Sequence, residues 1–591
     1  MNKRSNNAIW KIAAVEGLSS SQRLEAILRG HQERVGQSGG MLPDLEELTL
    51  QDQNQGIRIF RRKREARGLF AFIEDVLAPP HDRVEDFKYF PQDICIFIEA
   101  KHGLYVITSG MGYHVIEDYV DYNFPFDVAK KIVANRITHS QTRNLTGSSL
   151  STDERYRGYK HILKSEVTAK VWKNLAGKLN SSVIPPNNPL LEIIDIEKPP
   201  TAEIKSSFTL RKSLSLADTV RLVGALDELP APTEEQKTAM AFLDCLMPVK
   251  SKADKNKLKQ HLIQVVLDAA RMSHPLDYDV CDYKSFERLY AGSDFKVDNV
   301  SLGVDDPPGI ADIMGAIEGV VEGMDDEAAR IRISRMKLTY VDQGTETPVA
   351  LSLLKALNGQ IDMGSRAYFH VDGVFYFAST DFMQNVLSDF VNACFGDGGI
   401  CVEQAIHGLR EWTRGEDEDR YNEEQSRQDD FMLGHKVFVG GQSRIEPFDL
   451  LRVDRANKLV YLYHVKRGFD AEFRDLCGQI RMAHDFLSSM TDSDLKDYSA
   501  NLRDRVLPDG TRPNGDVSED DFMEWMKVGG GYKKVFVLTC VTSREFTRST
   551  LTDRRVFPAL IPRYEVLLTH SELNSRGADI QIVHIQELAD E

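Results

Sequence analysis

The pattern of apolar and polar positions changes character along the chain. From about residue 90, "ICIFIEA", "GLYVITSG" and "YHVIEDYV" are rich in β-formers and bounded by glycines, which predicts strands. The short link "KHG" predicts that the first two form a hairpin. "FDVAKKIVANRI" spaces its apolar residues as a helix does. "THSQTRNLTGSSLSTDERYRG" has no apolar period and reads as a polar loop. Prolines in "IPPNNPLLEIIDIEKPP" mark a boundary, and residues 215–295 read mainly as helices, one of them capped at Thr233. "SRAYFHVDGVFYFAST" predicts a hairpin turning at Asp372-Gly373, with the helix "DFMQNVLSDFVNACF" after it. The last third continues with "IEPFDLLRV" and "LVYLYHVKRG" as strands, "EFRDLCGQIRMAHDFLSSM" as a helix and "KKVFVLTCVT" as a strand. A closing helix and edge strand follow in "IPRYEVLLTHSELNSRGADIQIVHIQEL".

These elements predict a multidomain chain of α+β or α/β class. Residues 1–55 read as a helical extension, 56–205 as an α/β domain, 206–345 as a mainly helical region, and 346–591 as a mixed sheet flanked by helices. A chain of 591 residues is long enough for two to four such units.

Composition narrows the chemistry. A formal net charge of −17 argues against a protein coated in nucleic-acid-binding surface, but leaves room for a local basic groove. The densest basic run holds Arg58, Arg61, Arg62, Lys63, Arg64 and Arg67, and reads as a solvated face or a phosphate-contacting patch. The 7 cysteines are scattered with no CxxC pair, as expected of buried, reduced thiols in a cytoplasmic protein. No long apolar run predicts a membrane span, and charges at Lys11 and Glu16 interrupt any signal-peptide pattern. There is no GxxxxGK[ST], HExxH or GxSxG motif.

The chemistry concentrates in "IEPFDLLRVDRANKLVYLYHVKRG", Ile445 to Gly468. Leu459, Tyr461, Tyr463 and Val465 share one face of the second strand, and Val460, Leu462, His464 and Lys466 share the other. Both faces are apolar until the end, as in an interior strand. A lysine at the exit of such a strand needs a partner. The turn "DRANK" folds the start of the first strand beside the end of the second, making Asp449 the expected neighbour of Lys466. Pro447 disfavours a regular ladder at its own position. A bulge or a late strand start would then bring Glu446 and Asp449 to the same place. An Asp449–Lys466 ion pair capping a buried strand is the structural alternative.

This layout resembles the PD-(D/E)xK nuclease superfamily, with His464 where the superfamily has an acid. The resemblance implies Asp449, His464, Lys466 and Glu446 as the catalytic set, and Asp449, Glu446 and Glu423 as metal ligands, with Glu424 the fallback on the preceding helix. It implies Mg²⁺, with Mn²⁺ the ion an imidazole favours, and nucleic-acid contacts from Lys466, Arg467, Gln479 and Arg481. From about residue 60 onward the chain also resembles a sporadically distributed bacterial family of unknown function found near phage-defence and restriction genes. "YVITSGMGYHVIEDYVDYNFPFDVAKKIVAN" is similar to its first block, with "FPFD" in place of "FG". "AYFHVDGVFYFAS", "DRYNEEQS", "IEPFDLL", "YHVKRG" and the "LCGQ" helix follow in the family's order. The family pattern carries His before Val-Lys, which makes His464 a family trait. "RGFDAEFRDL" stands where the family has a serine-rich segment.

The resemblance implies a restriction-endonuclease-like C-terminal domain and a nuclease acting on DNA or RNA in antiviral defence. The expected partners are nucleic acid, another defence protein or a second copy of the chain. The rival expectations are an inactive nuclease fold that only binds nucleic acid, and an interaction protein that docks through its acidic surface.

Overall fold

The structure is a computed structural model. It describes residues 7–37, 44–49, 56–63, 67–68, 88–89, 92–133, 136–145, 151–160, 170–272, 278–282, 286–304, 307–363, 366–428, 430–438, 445–527 and 529–587. Arg64 and parts of the predicted polar loop (146–150) lie outside these residues. The fold is mixed α+β with several antiparallel sheets. Where the sequence predicts four segments, the chain divides into two compact units: 1–143 with 151–257, and 144–150 with 258–591. The boundary falls inside the helix Lys252–Met272.

The first unit is built on a sheet that has ten strands among the described residues. The predicted hairpin is present, with Gln92–Glu99 antiparallel to Leu104–Ser109. Two readings change. "YHVIEDYV" forms the short helix Tyr113–Ile116 and a single 3₁₀ turn, because Gly110 turns the chain out of the preceding strand at φ 62°. The predicted polar loop contains the strands Ile137–Asn144 and Ser151–Lys160 at one end of the sheet. The second of these is largely exposed on both faces, so it needs no apolar alternation and leaves none in the sequence. The basic run also becomes a strand, Ile57–Lys63. Arg58 pairs with Glu47 and Glu25, Arg61 with Glu46, and Arg62 with the buried Asp93.

In the second unit, the stretch read as mainly helical contributes strands as well. Gly292–Val297, Val300–Ser301, Lys337–Asp342 and Thr347–Ser352 form one antiparallel sheet around the helices Ile310–Val321 and Asp326–Arg335. These strands are short and lie between helices, so the helical period dominates any sequence window that spans them. Asp372 and Gly373 both take left-handed backbone, φ 53° and 74°, as the predicted hairpin turn requires.

The C-terminal part forms a mixed sheet. Its elements are β1 (Cys401–Val402), α1 (Glu418–Gln425), β2 (Phe431–Leu433), β3 (Leu450–Asp454), β4 (Leu459–Arg467), α2 (Ala471–Ser489), α3 (Asp492–Asp504), β5 (Lys533–Thr542), α4 (Ile561–Ser575) and β6 (Asp579–Gln586). The strand order is β1-β6-β5-β4-β3-β2. β2, β3 and β4 run antiparallel in turn, whereas β4, β5, β6 and β1 are parallel. The predicted closing edge strand β6 therefore lies one place inside the edge, covered by β1. Both faces of β4 are buried. Val460 and Leu462 pack with Phe536, Leu538 and the α2 stripe Leu476, Ile480 and Leu487. Tyr463 and Val465 pack on the opposite face with Tyr421, Val537 and Ile585. This explains a strand that is apolar on both faces until His464.

Arg481 lies inside this unit. Its guanidinium is buried and donates to Glu565 at 2.7 Å and to Thr569 at 2.8 Å, tying α2 to α4. It faces a neighbouring helix, not a groove for nucleic acid. Among the described residues no helix is long and apolar enough to cross a membrane. Replacing Arg481 by Met breaks the buried Arg481–Glu565 pair, and is expected to cost about 3–5 kcal/mol. Thermal unfolding checks this: the double variant Arg481→Met, Glu565→Leu should recover most of the loss.

Candidate functional site

The mouth of the β3–β4 hairpin is where the chemistry gathers. The ladder begins at Leu450 opposite Tyr463, and one step further places Asp449 across from His464. The Asp449 N–H donates to the Tyr463 carbonyl at 2.8 Å, and its carboxylate oxygen Oδ2 accepts the Val465 N–H at 2.7 Å. Backbone and side chain of one aspartate thus straddle His464. The late strand start expected from Pro447 is present. It leaves Glu446 free of the ladder and able to turn toward the same point.

The third participant comes from the turn after β2, which the sequence reading did not single out. Gly434 and His435 both donate their N–H groups to the Asp449 carbonyl, at 2.8 and 2.9 Å. A Cβ at residue 434 would collide with the ring and carbonyl of Phe448, so the close approach requires glycine. Lys436 then takes left-handed backbone at φ 61°, a conformation that costs a lysine roughly 1–2 kcal/mol. In return its N–H points onto the Glu446 carboxylate.

His435 is consequently ringed by acids. Its Nδ1 lies 2.9 Å from Asp449 Oδ1 and 3.2 Å from Glu446 Oε1, and its Nε2 lies 2.7 Å from Asp419 Oδ1 on α1. Burial alone would lower its pKa. The hydrogen bonds and charges of Asp449, Glu446 and Asp419 outweigh burial and push it up to about 10. Both ring nitrogens therefore donate near neutral pH. Burial also works against the charge on Asp449, yet His435 and the Val465 N–H hold its pKa below the usual carboxylate range. His464 behaves oppositely: burial holds its pKa down. Its Nε2 donates to the Pro447 carbonyl at 3.1 Å, which fixes the neutral tautomer.

Ligand atoms of His435, Glu446 and Asp449 all lie within 4.8 Å of one another. The 2.9 and 3.2 Å edges match the ~3 Å spacing of adjacent donors around an ion with bonds of about 2.1 Å. One imidazole and two carboxylates suit Mn²⁺, Fe²⁺ or Zn²⁺ better than Mg²⁺. Occupation requires the proton on Nδ1 to leave.

The other predicted residues distribute as follows. Lys466 Nζ donates to Glu418 Oε2 at 2.5 Å, so its near partner is the first residue of α1 and not Asp449. Glu423, the acid favoured from the sequence, lies further along α1 and outside the His435 cluster; its charge acts on Arg505. Glu424 pairs with Arg420 at 3.1 Å. Arg467 is exposed and paired with Glu587 at 2.7 Å, and Gln479 is exposed on α2. The sequence reading missed Glu418 and Asp419, His435, and the α3 pair Tyr498 and Arg505. The one local sign was "LGHK", a glycine and a histidine directly after a three-residue apolar run.

With this geometry in hand, comparison with known proteins gives one result. Residues 71–506 match the model of a family of unknown function, DUF6119, and the chain belongs to that family. The matched stretch holds His435, Glu446, Asp449, Lys466 and the α1 and α3 residues around them. No curated protein and no solved structure matches the chain.

The raised pKa of His435 has a direct consequence for the metal-free protein. A free imidazole titrates near 6.5. The stabilisation from its charged hydrogen bonds is therefore complete below about pH 6.5 and is lost as pH rises through about 10. The His435→Gln variant should show a flatter dependence of stability on pH over that window, measured by denaturant unfolding.

Proposed function

We propose that this member of the family is a metal-dependent phosphodiesterase of the PD-(D/E)xK type, acting on DNA or RNA. The observation that carries the reading is the convergence of Asp449, Glu446 and His435 at the mouth of the hairpin, with Lys466 next in the chain to the residue whose N–H holds Asp449. A divalent cation held there would polarise a phosphate ester and favour ionisation of an attacking water. Asp449, fixed by the Val465 N–H, keeps a lone pair aimed at the cluster without side-chain reorganisation. His435 would hold the ion through Nδ1 after losing that proton to solvent, with Nε2 hydrogen-bonded to Asp419. Lys466 leaves Glu418 to orient water or offset developing negative charge. Glu418 and Asp419 fill the place of the acidic helix residue expected at Glu423. The resemblance to proteins near phage-defence genes supports a place in bacterial antiviral defence.

A second reading is favoured by one observation. His464 stands where the superfamily has an acid, and its Nε2–H is committed to Pro447. A site without that ligand fits a module that binds nucleic acid and does not cut it.

The test is cleavage of single-stranded DNA, duplex DNA and RNA by the full chain with Mg²⁺ or Mn²⁺. Cleavage with a preference for Mn²⁺ is expected, falling at least about a hundredfold in Asp449→Asn and in Lys466→Met. Glu423→Gln should stay within a few-fold of the parent. Salt-dependent binding with no cleavage under any metal would establish the second reading.

A further inference from the structure

Tyr498 on α3 and Arg505 just after it lie within reach of this cluster's charges, and each has a buried polar atom with no partner among the described residues. Tyr498 is 1 % exposed, packed between Phe448 and Phe522, and its hydroxyl has no hydrogen-bond partner. The charges that act on it are Glu446, Asp449 and Arg505. Arg505 follows the last turn of α3 and is half-buried. Its Nη1 atom is buried without a partner. Burial lowers the pKa of its guanidinium, while the charges of Glu423, Glu446 and Asp419 oppose that shift without any of them reaching ion-pair distance.

A buried donor left unpaired costs about 1–3 kcal/mol, and a cation costs more. The nearby acids do not relieve that cost. Glu446 and Asp449 are committed to His435, Asp419 to His435 and Lys436, and Glu418 to Lys466. The guanidinium of Arg505 can only donate and the hydroxyl of Tyr498 can donate as well as accept, so an acceptor is the one partner that suits both. A guanidinium and a phenol within each other's electrostatic reach suit an oxyanion.

We infer that Tyr498 and Arg505 form an oxyanion-binding corner of the same cleft, which takes a non-bridging oxygen of a phosphate ester. The assignment rests on the phosphodiesterase reading for the identity of its ligand, and on the two unpartnered donors for its place. Arg505 supplies the charge and a planar set of donors, and Tyr498 supplies a single rigid donor. Glu423 contributes charge to the field at Arg505 without pairing with it, so the guanidinium stays available to a phosphate.

The experiment uses the full chain, with inorganic phosphate and bis(p-nitrophenyl) phosphate as probes. Binding is measured by calorimetry with and without Mn²⁺, and Mn²⁺ affinity is measured separately. Tyr498→Phe should weaken phosphate binding about tenfold and Arg505→Met about a hundredfold. Neither should change Mn²⁺ affinity more than about twofold. Weaker binding of the diester to the same degree assigns the corner to substrate, and an effect on inorganic phosphate alone overturns the assignment to an ester. Tyr498→Phe should leave the melting temperature unchanged or higher, because the hydroxyl has no partner to lose; a clear fall would show that it serves the fold. Unaltered phosphate affinity in both variants overturns the inference while leaving the phosphodiesterase reading standing if the parent cleaves. Phosphate binding that depends on these two residues in a protein with neither Mn²⁺ affinity nor cleavage supports the corner and overturns that reading. Equal destabilisation by Arg505→Met and Glu423→Gln, with no change in phosphate binding, reduces the corner to a structural pair.

Discussion

A buried carboxylate at the entrance of an interior hairpin constrains everything around it. Asp449 is only 8 % exposed, and its charge can persist there only if both oxygens are satisfied. One is held by the backbone N–H of Val465, and the other by an imidazole on the far side of the β2 turn. The need to deliver that imidazole explains several local oddities at once. Glycine stands at 434, a lysine adopts left-handed backbone at 436, and two successive N–H groups converge on the Asp449 carbonyl. Each is costly or restrictive alone. Together they fix the positions of two acids and a histidine to within a hydrogen bond of one another.

The flanking helices extend the same logic. α1 begins at Asp417, whose side chain caps the helix by accepting the Arg420 N–H at 2.9 Å. That start puts Glu418 and Asp419 in the first turn, where they meet Lys466, Lys436 and His435. α3 approaches from another side and brings donors instead of acceptors. The surroundings of the hairpin mouth are therefore electrostatically divided, with acids gathered at His435 and the charge of Arg505 acting within the same field. A phosphate diester bound to a cation has the complementary division, since the ion takes some of its oxygens and leaves the rest in need of donors.

Much of this was legible in the sequence, and the remainder has identifiable reasons. The hairpin could be read because β4 is apolar on both faces and ends abruptly, which only an interior strand does. The displacement of Glu446 and Asp449 from a regular ladder followed from Pro447. Lys466 was correctly seen as a lysine needing an acid, but the two-strand argument could not see α1 and so named Asp449. Glu423 was taken from "RYNEEQS", with Glu424 the fallback, and Glu418 and Asp419 were passed over because a helix phase cannot be assigned without its first residue, and an acidic run hides its own cap. His435 carries no periodic signal at all. Its role arises from β2 pairing with β3, a tertiary fact. Tyr498 and Arg505 are one tyrosine and one arginine on a helix whose other residues look ordinary. Only the absence of their partners marks them. The short strands of the middle region and the exposed strands of the first unit were missed because strand propensity is read through burial.

The sheet order has a temporal side. β4 takes its antiparallel neighbour β3 from the residues just before it, but its parallel neighbour β5 lies far downstream, with Leu459 opposite Lys533. The intervening chain includes α2 and α3, so the strand bearing Lys466 cannot be sealed on its second edge until both helices and β5 have left the ribosome. Parallel pairing over such a separation raises contact order and delays closure. A nascent chain ending anywhere before β5 carries Asp449, Glu446 and His435 on an unsupported ribbon. The second edge of the strand bearing Lys466 is thus sealed only after β5 has been made, later than the hairpin that gathers Asp449 and Glu446.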